Sequence, residues 1–443
     1  MLYHIWTEGC QMNVADSVRL SSTLEQLGYA PTKRIEQADV IVLNTCVVRQ
    51  SAEEKAIGRL SSLKKVKQEN PQAVICLMGC MVGVGDYDPL KKRFPFVDVF
   101  SAPSDIHTLI GYLLETDRIS ATELRDQAQT ILEEDVDFIL PADMRGNSVT
   151  AFVPIVLGCS HACSYCVIPL RRGSEISRPP LEILTEISSL AQQGIKEVTL
   201  LGQIVDRYGR ENPDYPSLGE LLRDIHQIDG IQRIRFLTSH PNWMTDELLD
   251  AMALLPKVMP HFELPIQAGD DEVLRRMRRG YTVEKYRSIV HKIRTRFPFS
   301  SIATDLIVGF PGESAEQFEH SLEMLQEIKP DMTHVARYSP RPGTYSAEQM
   351  ADTVSEKEKW ERFRAVEKLQ ERITAAINEN YLNQRVNVLF EGQKKGRWYG
   401  RTPTNKLVFC DSDTSLLGQE KDVTISWTGP WSMIGNLDDE IKK

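Results

Sequence analysis

The sequence predicts an α/β chain in three parts: an N-terminal doubly wound parallel α/β domain (1–117), a central partial (β/α)6 barrel (149–375) and a small C-terminal β-barrel (378–441), with a linker at 118–148. Three observations carry that reading. Short apolar runs alternate with helical patterns near the N-terminus, six further strand–helix units follow, and the C-terminal segment breaks into short strands. The 443 residues are 41% hydrophobic and 26% charged, which is globular rather than disordered composition. No apolar run approaches the ~18 residues of a membrane span. The N-terminus, MLYHIWTEGC, lacks the basic region and apolar core of a secretory signal, so a cytoplasmic protein with no membrane partner is expected.

Element by element, a strand at 2–7 leads to a helix near 15–27 that ends at Gly28, and a strand at 39–45 leads to a helix near 51–67 that stops before Pro71. A strand at 73–79 is followed by Gly-rich turns and the apolar FVDVF at 96–100. Glu133, Glu134, Asp135, Asp137 and the small polar residues around Gly146 then read as an exposed linker. Six strands are expected at 151–158, 197–202, 233–239, 261–267, 301–308 and 332–338, with helices such as 181–193, 217–228, 245–254, 282–296 and 314–328 between them. Six such units make either a doubly wound sheet or a partly closed barrel, and both place function at the C-terminal strand ends. A charged helix near 355–380 leads out to RVNVLFEG, GRWYGRT, KLVFCD and DVTISWTG, the short strands of a small barrel.

Eight cysteines are too few for a disulfide scaffold, so their spacing is what matters. Cys159, Cys163 and Cys166 form C-x3-C-x2-C on one short loop after the first central strand. Three thiolates without a fourth partner leave a held metal one open position, which suits an iron–sulfur cluster better than a closed structural zinc site. His161 is the alternative fourth ligand for zinc, at a spacing unlike a zinc finger. Cys10, Cys46 and Cys80 each end an apolar run, 36 and 34 residues apart, close to the length of one βαβ unit. In a parallel sheet they converge on one edge and form a second metal site. The plainer alternative, cysteine as a small buried hydrophobe, suits Cys76 and Cys410.

The net charge of −10 argues against a nucleic-acid partner if read naively. Its distribution reverses the inference. Residues 385–406 hold Arg385, Lys394, Lys395, Arg397, Arg401 and Lys406 against Glu391 alone, with Trp398 and Tyr399 interleaved. Cations for phosphate and aromatic faces for unpaired bases are what single-stranded RNA recognition uses; the alternative is a solvated loop around a core Trp. The run Arg275, Arg276, Arg278 and Arg279 is diluted by Asp270, Asp271 and Glu272 and reads as a mixed helix face that could touch an RNA stem.

The C-x3-C-x2-C motif with Tyr165 before its last cysteine resembles the signature of the radical S-adenosylmethionine (SAM) superfamily. GCQMNVADS (9–17), ADVIVLNTCVVR (38–49) and GCM (79–81) are similar to the cysteine motifs of the methylthiotransferase family within it. RRGSEISRP (171–179), LLGQ and YG (200–209), TSHP (238–241), LPIQAG (264–269), TDLIVGFPGE (304–313) and YSPRPGT (338–344) extend the match, and GRTPTNKLVF (400–409) resembles a TRAM RNA-binding module. The resemblance implies two 4Fe-4S clusters, one on Cys159, Cys163 and Cys166 with SAM on its open iron, the other on Cys10, Cys46 and Cys80. It implies a methylthio group added to a tRNA adenosine in the anticodon stem-loop, served by an electron donor protein and by sulfur-donor or cluster-assembly proteins.

Gln-Met-Asn after Cys10 and the GRTPTN segment favour the family branch acting on isopentenyl-adenosine. The alternatives are methylthiotransferases acting on threonylcarbamoyl-adenosine or a ribosomal-protein residue, and a non-catalytic zinc-containing RNA-binding protein. Five positions differ from the expected pattern: Val18, Leu170, Ile204, Glu263 and Asp270. Gly202 and Gln203 fall where the family meets the methionine end of SAM, and Ser239, Gln267 and Gly309 also follow apolar strands toward the pocket. Gly309 begins a Gly-Phe-Pro-Gly run that also makes a plain turn. Arg178 lies near the cysteine loop, where it could neutralise a SAM carboxylate or an RNA phosphate. No side chain is assigned as a catalytic acid or base, and Lys394, Lys395, Arg397, Trp398, Tyr399 and Arg401 are the expected RNA contacts.

Overall fold

A computed structural model describes residues 1–48, 50–85, 87–133 and 138–438. Glu134, Asp135 and Asp137 of the expected linker, and 439–441 of the expected C-terminal barrel, lie outside the described residues. The chain divides into two compact units: Met1–Arg145 with Phe152–His161 and Cys166–Gln193, and Gly146–Ala151 with Ala162–Tyr165 and Gly194–Lys443. The chain crosses between the units twice around the C-x3-C-x2-C loop, and the C-terminal barrel falls within the second unit.

In the first unit, Ala30–Pro31, Leu2–Thr7, Val40–Thr45, Val74–Gly79 and Val99–Ser101 pair in that order as a parallel sheet. Alternate side chains feed two cores. Val40, Val42, Val74 and Cys76 pack against Leu20, Leu24, Leu109 and Ile110 on one face. Ile41, Leu43, Ile75 and Leu77 meet Ala56, Leu60 and Leu63 on the other. Two expectations need correction. The first helix is Gln11–Gln26, starting directly after Cys10 rather than near residue 15. The expected linker carries a helix, Thr122–Glu133, whose Ala128 and Ile131 are buried in the first core with Leu124 packed beside them. Leu124, Ala128 and Ile131 share one helical face, a stripe masked by the charged residues around it.

The second unit follows the barrel expectation. Glu197–Leu201 and Arg233–Phe236 pair in parallel in one sheet, and His261–Glu263, Ser301–Val308 and Met332–Arg337 form another, three-stranded sheet. A parallel bridge between Ile234 and Val258 links the two, so the strands run in chain order. Helices between them begin at Ser or Thr caps, Ser217, Thr245, Thr282 and Ser314, whose oxygens accept first-turn amides.

Arg385–Lys394, Arg397–Arg401, Leu407–Cys410, Met433–Leu437 and Glu420–Thr428 close a five-stranded barrel in that order. It is bound to the starts of the central strands. Arg233, 1% exposed, donates to Glu420 (2.6 Å), Asn387 (2.6 Å) and the Arg401 carbonyl (2.7 Å). Arg235 donates to the carbonyls of Pro403 (2.8 Å) and Thr402 (2.9 Å) and to Glu197 (2.9 Å). The GRTPTN loop thus covers the N-terminal strand ends, leaving the C-terminal edge for chemistry.

Candidate active site

In the first unit the three widely spaced cysteines come to one sheet edge. Thr45 pairs with Gly79, so Cys46 and Cys80 leave neighbouring strands at matched positions, and the Cys80 amide donates to the Thr45 carbonyl at 2.9 Å. Cys10 caps the Gln11–Gln26 helix after the adjoining strand. Gly9 must be glycine: at φ +156°, a Cβ there would lie 2.5 Å from Asn13 Oδ1 and 3.0 Å from Cys46 Cβ. Buried Asn13 and Asn44 tie the strand ends together. Asn13 Nδ2 donates to Asn44 Oδ1 (2.8 Å) and to the Thr45 carbonyl (3.1 Å), while Asn44 Nδ2 donates to the Asn13 carbonyl (2.9 Å) and Ser17 Oγ (3.0 Å). This network sits inside the cysteine motifs themselves and was not singled out from the sequence.

Arg172 was also missed. It is buried beside Cys80, with Asp16 Oδ2 3.5 Å from its Nη2. Burial pushes the Cys80 thiol up to about 11, and the Arg172 charge opposes that rise while Cys46 and Cys10 add to it. Three thiols with one buried cation fit an anionic cluster. Among the described residues no three His, Cys, Asp or Glu side chains are set around a point as a single metal ion requires. By contrast Cys76 is fully buried, its thiol pushed up to about 12 by burial, and Cys410 lies in the C-terminal core, as the plainer reading expected.

The C-x3-C-x2-C loop belongs to both units. In the first, Cys159 is buried, its amide donating to the Gly173 carbonyl at 3.0 Å, and half-buried Cys166 precedes the Ile168–Arg172 helix. In the second, half-buried Cys163 receives a hydrogen bond from Arg279 Nη1 at 3.2 Å. Ser164 fixes this stretch, donating from Oγ to the Arg276 carbonyl (2.8 Å) and from its amide to the Met277 carbonyl (3.1 Å). The arginine run therefore separates by role. Arg275 pairs with Glu272 on the surface, Arg278 lies 3.7 Å over the Tyr345 ring, and buried Arg279 serves the cysteine.

At the C-terminal strand ends, Gly202 is buried and Gln203 half-buried directly after Glu197–Leu201. Ser239 is 2% exposed, and its Oγ has no hydrogen-bond partner among the described residues. Its amide donates to the Glu263 carbonyl at 3.0 Å. Gln267 bridges to the next strand, its amide donating to the Asp305 carbonyl at 2.9 Å. Gly309, at φ +71°, backs onto Lys359, where a Cβ would come within 2.4 Å of Cγ. Its amide already donates to Glu313 at 2.6 Å, so packing explains this glycine. Burial first, then the Asp305 charge, pushes the Glu263 carboxyl up to about 7, with the Thr238 backbone opposing.

Of the other departures, Asp270 caps the Asp271–Arg276 helix, a task Ser performs equally well. Ile204 is buried, Val18 is half-buried and Leu170 is exposed. Arg178 does not offer a free cation. Its Nη2 lies 2.8 Å from Glu186, which also binds Arg19, and its Nη1 donates to the Pro154 carbonyl at 2.8 Å. An incoming carboxylate or phosphate would have to displace Glu186.

The basic segment is also redistributed. Trp398 is a core residue of the small barrel, 8% exposed, and does not present a stacking face. Lys406 is buried against Asp331 (2.7 Å), Arg385 pairs with Asp422 and Asp438, and Arg401 lies 3.7 Å from Glu391. Exposed Lys394, Lys395 and Arg397 remain at the Arg385–Arg401 hairpin, Arg397 pairing with Asp411, and Tyr399 is half-buried beside Phe409. The exposed aromatics of this barrel are Trp427 and Trp431, which carried no sequence signal beyond their identity.

Residues 153–325 match the Radical SAM superfamily, residues 2–102 the uncharacterized protein family UPF0004, and residues 379–437 the TRAM domain. Over 438 residues the chain is 47% identical to the tRNA-2-methylthio-N(6)-dimethylallyladenosine synthase of Roseiflexus sp. (strain RS-1), covering 98% of this chain and 89% of that one. It is 46% identical to the protein of the same name from Herpetosiphon aurantiacus, covering 98% and 97%. The solved structure of the radical S-adenosylmethionine methyltransferase TsrM from Kitasatospora setae, with cobalamin and a 4Fe-4S cluster bound, superposes with a TM-score of 0.54 at 14% identity, covering 94% of this chain and 82% of that chain. That likeness is one of fold alone.

Proposed function

The chain belongs to the tRNA-2-methylthio-N(6)-dimethylallyladenosine synthase family, and from that membership we propose that it adds a methylthio group to carbon 2 of the isopentenyl-modified adenosine beside the tRNA anticodon, using two 4Fe-4S clusters. Cys159, Cys163 and Cys166 would hold one cluster with SAM on its open iron, and Cys10, Cys46 and Cys80 the other. When bound, the clusters and SAM supply the radical, the sulfur and the methyl group.

The protein's own part is placement and charge. Asn13 and Asn44 tie the start of the helix beside Cys10 to the strand end before Cys46, and Arg172 and Arg279 set a buried cation beside Cys80 and Cys163. Gly202, Gln203, Ser239 and Gln267 line the edge where SAM would lie, Ser239 with a hydroxyl still able to bond. Lys394, Lys395 and Arg397 would meet the phosphates of the tRNA anticodon stem-loop. The reaction consumes electrons and sulfur, so an electron donor protein and sulfur-donor or cluster-assembly proteins are implied as partners.

The observation that carries the two-cluster reading is the matched exit of Cys46 and Cys80 from paired strands, with Cys10 capping the helix after the third. Two measurements test the proposal. Anaerobically purified protein should carry about eight irons and eight sulfides, on the stoichiometry of two such clusters; stoichiometric zinc without iron would sink it. The chain should also restore the 2-methylthio-isopentenyl nucleoside to tRNA of a deletion strain, and restoration of a threonylcarbamoyl derivative instead would overturn the substrate.

A further inference from the structure

A cavity of about 460 Å³ opens between the loops that follow Glu197–Leu201 and Arg233–Phe236. These loops carry Gly202, Gln203 and Ser239 near their starts, and the Val205 amide ties them together by donating to the Thr238 carbonyl at 3.0 Å. The cavity therefore lies on the C-terminal edge of the strands, further along the same loops than the residues assigned to SAM. Its volume is that of a small-molecule or nucleotide site.

Its lining is unusual for a surface cleft. Trp243 carries two guanidinium groups over its ring, Arg207 at 4.6 Å and Arg210 at 4.4 Å from the centroid. Tyr208 and Tyr215 stack with centroids 6.5 Å apart. The lining also carries the carboxylates of Asp206, Glu220 and Glu247. Asp206 is 5% exposed, held by the His240 amide at 3.0 Å, and burial pushes its carboxyl up to about 7.

We propose that this cavity receives one unpaired, amine-bearing base of the RNA substrate, a loop neighbour of the adenosine being modified. The proposal rests on the tRNA reading above. Aromatic and guanidinium planes are the surfaces on which splayed RNA bases stack. Carboxylates accept hydrogen bonds from the exocyclic amines of adenine, cytosine or guanine, and they repel phosphate. A base can therefore enter while its backbone stays outside. An adenosine drawn out of a single-stranded loop toward the strand ends also unstacks its neighbour, which then needs a binding surface of its own.

The test uses isopentenyl-adenosine stem-loop RNAs, each with one loop base made abasic, titrated against the cluster-loaded full chain and its Trp243→Ala variant. One abasic position other than the target should weaken wild-type binding about tenfold or more, the range of a lost base–aromatic stack. That same change should cost Trp243→Ala nothing further, and Trp243→Phe should retain most of the wild-type response. Tyr215→Leu provides the same comparison should Trp243→Ala fail to fold. Equal losses in wild type and variants at every non-target position would overturn the proposal. A wild-type protein that neither binds nor modifies the intact stem-loop would instead bring down the tRNA reading on which it rests.

Discussion

Cys46 and Cys80 hang from paired positions of one sheet, whereas Cys163 sits on a loop pinned by Ser164 to the end of a helix. The first arrangement is inherited from strand register, which fixes side-chain position as firmly as any backbone can. The second depends on a few hydrogen bonds from an irregular segment. Both nevertheless bring a buried arginine to a cysteine, Arg172 to Cys80 and Arg279 to Cys163. The difference lies in the counter-charge. Arg172 has Asp16, itself tied to Ser104 Oγ at 2.7 Å, while Arg279 is steadied by the Tyr281 hydroxyl at 3.1 Å.

That contrast gives the largest expected effect. Arg172→Met strands Asp16, whose carboxyl burial already drives upward, and should cost about 3–5 kcal/mol in urea unfolding of cluster-free protein. Adding Asp16→Asn should recover part of the loss. Arg279→Met leaves no carboxylate behind and should destabilise cluster-free protein less. Equal losses from both arginines would break the distinction.

A second comparison sets Trp398 against Lys394 and Lys395, residues the sequence grouped as one RNA patch. Trp398→Ala should destabilise the small barrel by about 3–5 kcal/mol, as deletion of a core aromatic does, while folded protein keeps its tRNA affinity. Lys394→Glu with Lys395→Glu should leave unfolding nearly unchanged but weaken tRNA binding and flatten its salt dependence. Filter binding across a salt series, beside thermal melts, separates the two. A salt slope unaltered by the double change would remove the hairpin from the interface.

What could be read from the sequence follows from how local each signal is. The parallel strands, the helix ends at Gly28 and Pro71 and the convergence of Cys10, Cys46 and Cys80 rest on short-range pattern plus one rule about parallel sheets. Arg172 and Arg279 could not be found that way, because each meets its cysteine across a long stretch of chain. Asn13 and Asn44 were visible as residues but not as partners. Trp398 was misread because alternation with cations fits a strand with one buried face as well as an RNA surface. The Thr122–Glu133 helix was hidden by the charged residues around it, although its apolar spacing was present.

The smallest predicted effect concerns buried acids and carries the comparison into the second unit. Asp16 has a cation beside it, whereas the charge named at Glu263 is another carboxylate, Asp305, with the Thr238 backbone opposing. The Glu263 carboxyl therefore rises from 4.5 to about 7 on folding. The native state then keeps a proton that the unfolded chain releases across that interval. This contribution is present in full below pH 4.5 and is lost as pH rises through about 7. Glu263→Gln cannot lose it, so the variant should gain stability relative to wild type as unfolding is measured from pH 5 to pH 8. Asp206 titrates near the same pH in both proteins and cancels in the difference. A difference that stayed flat across this range would mean that folding does not raise the Glu263 carboxyl.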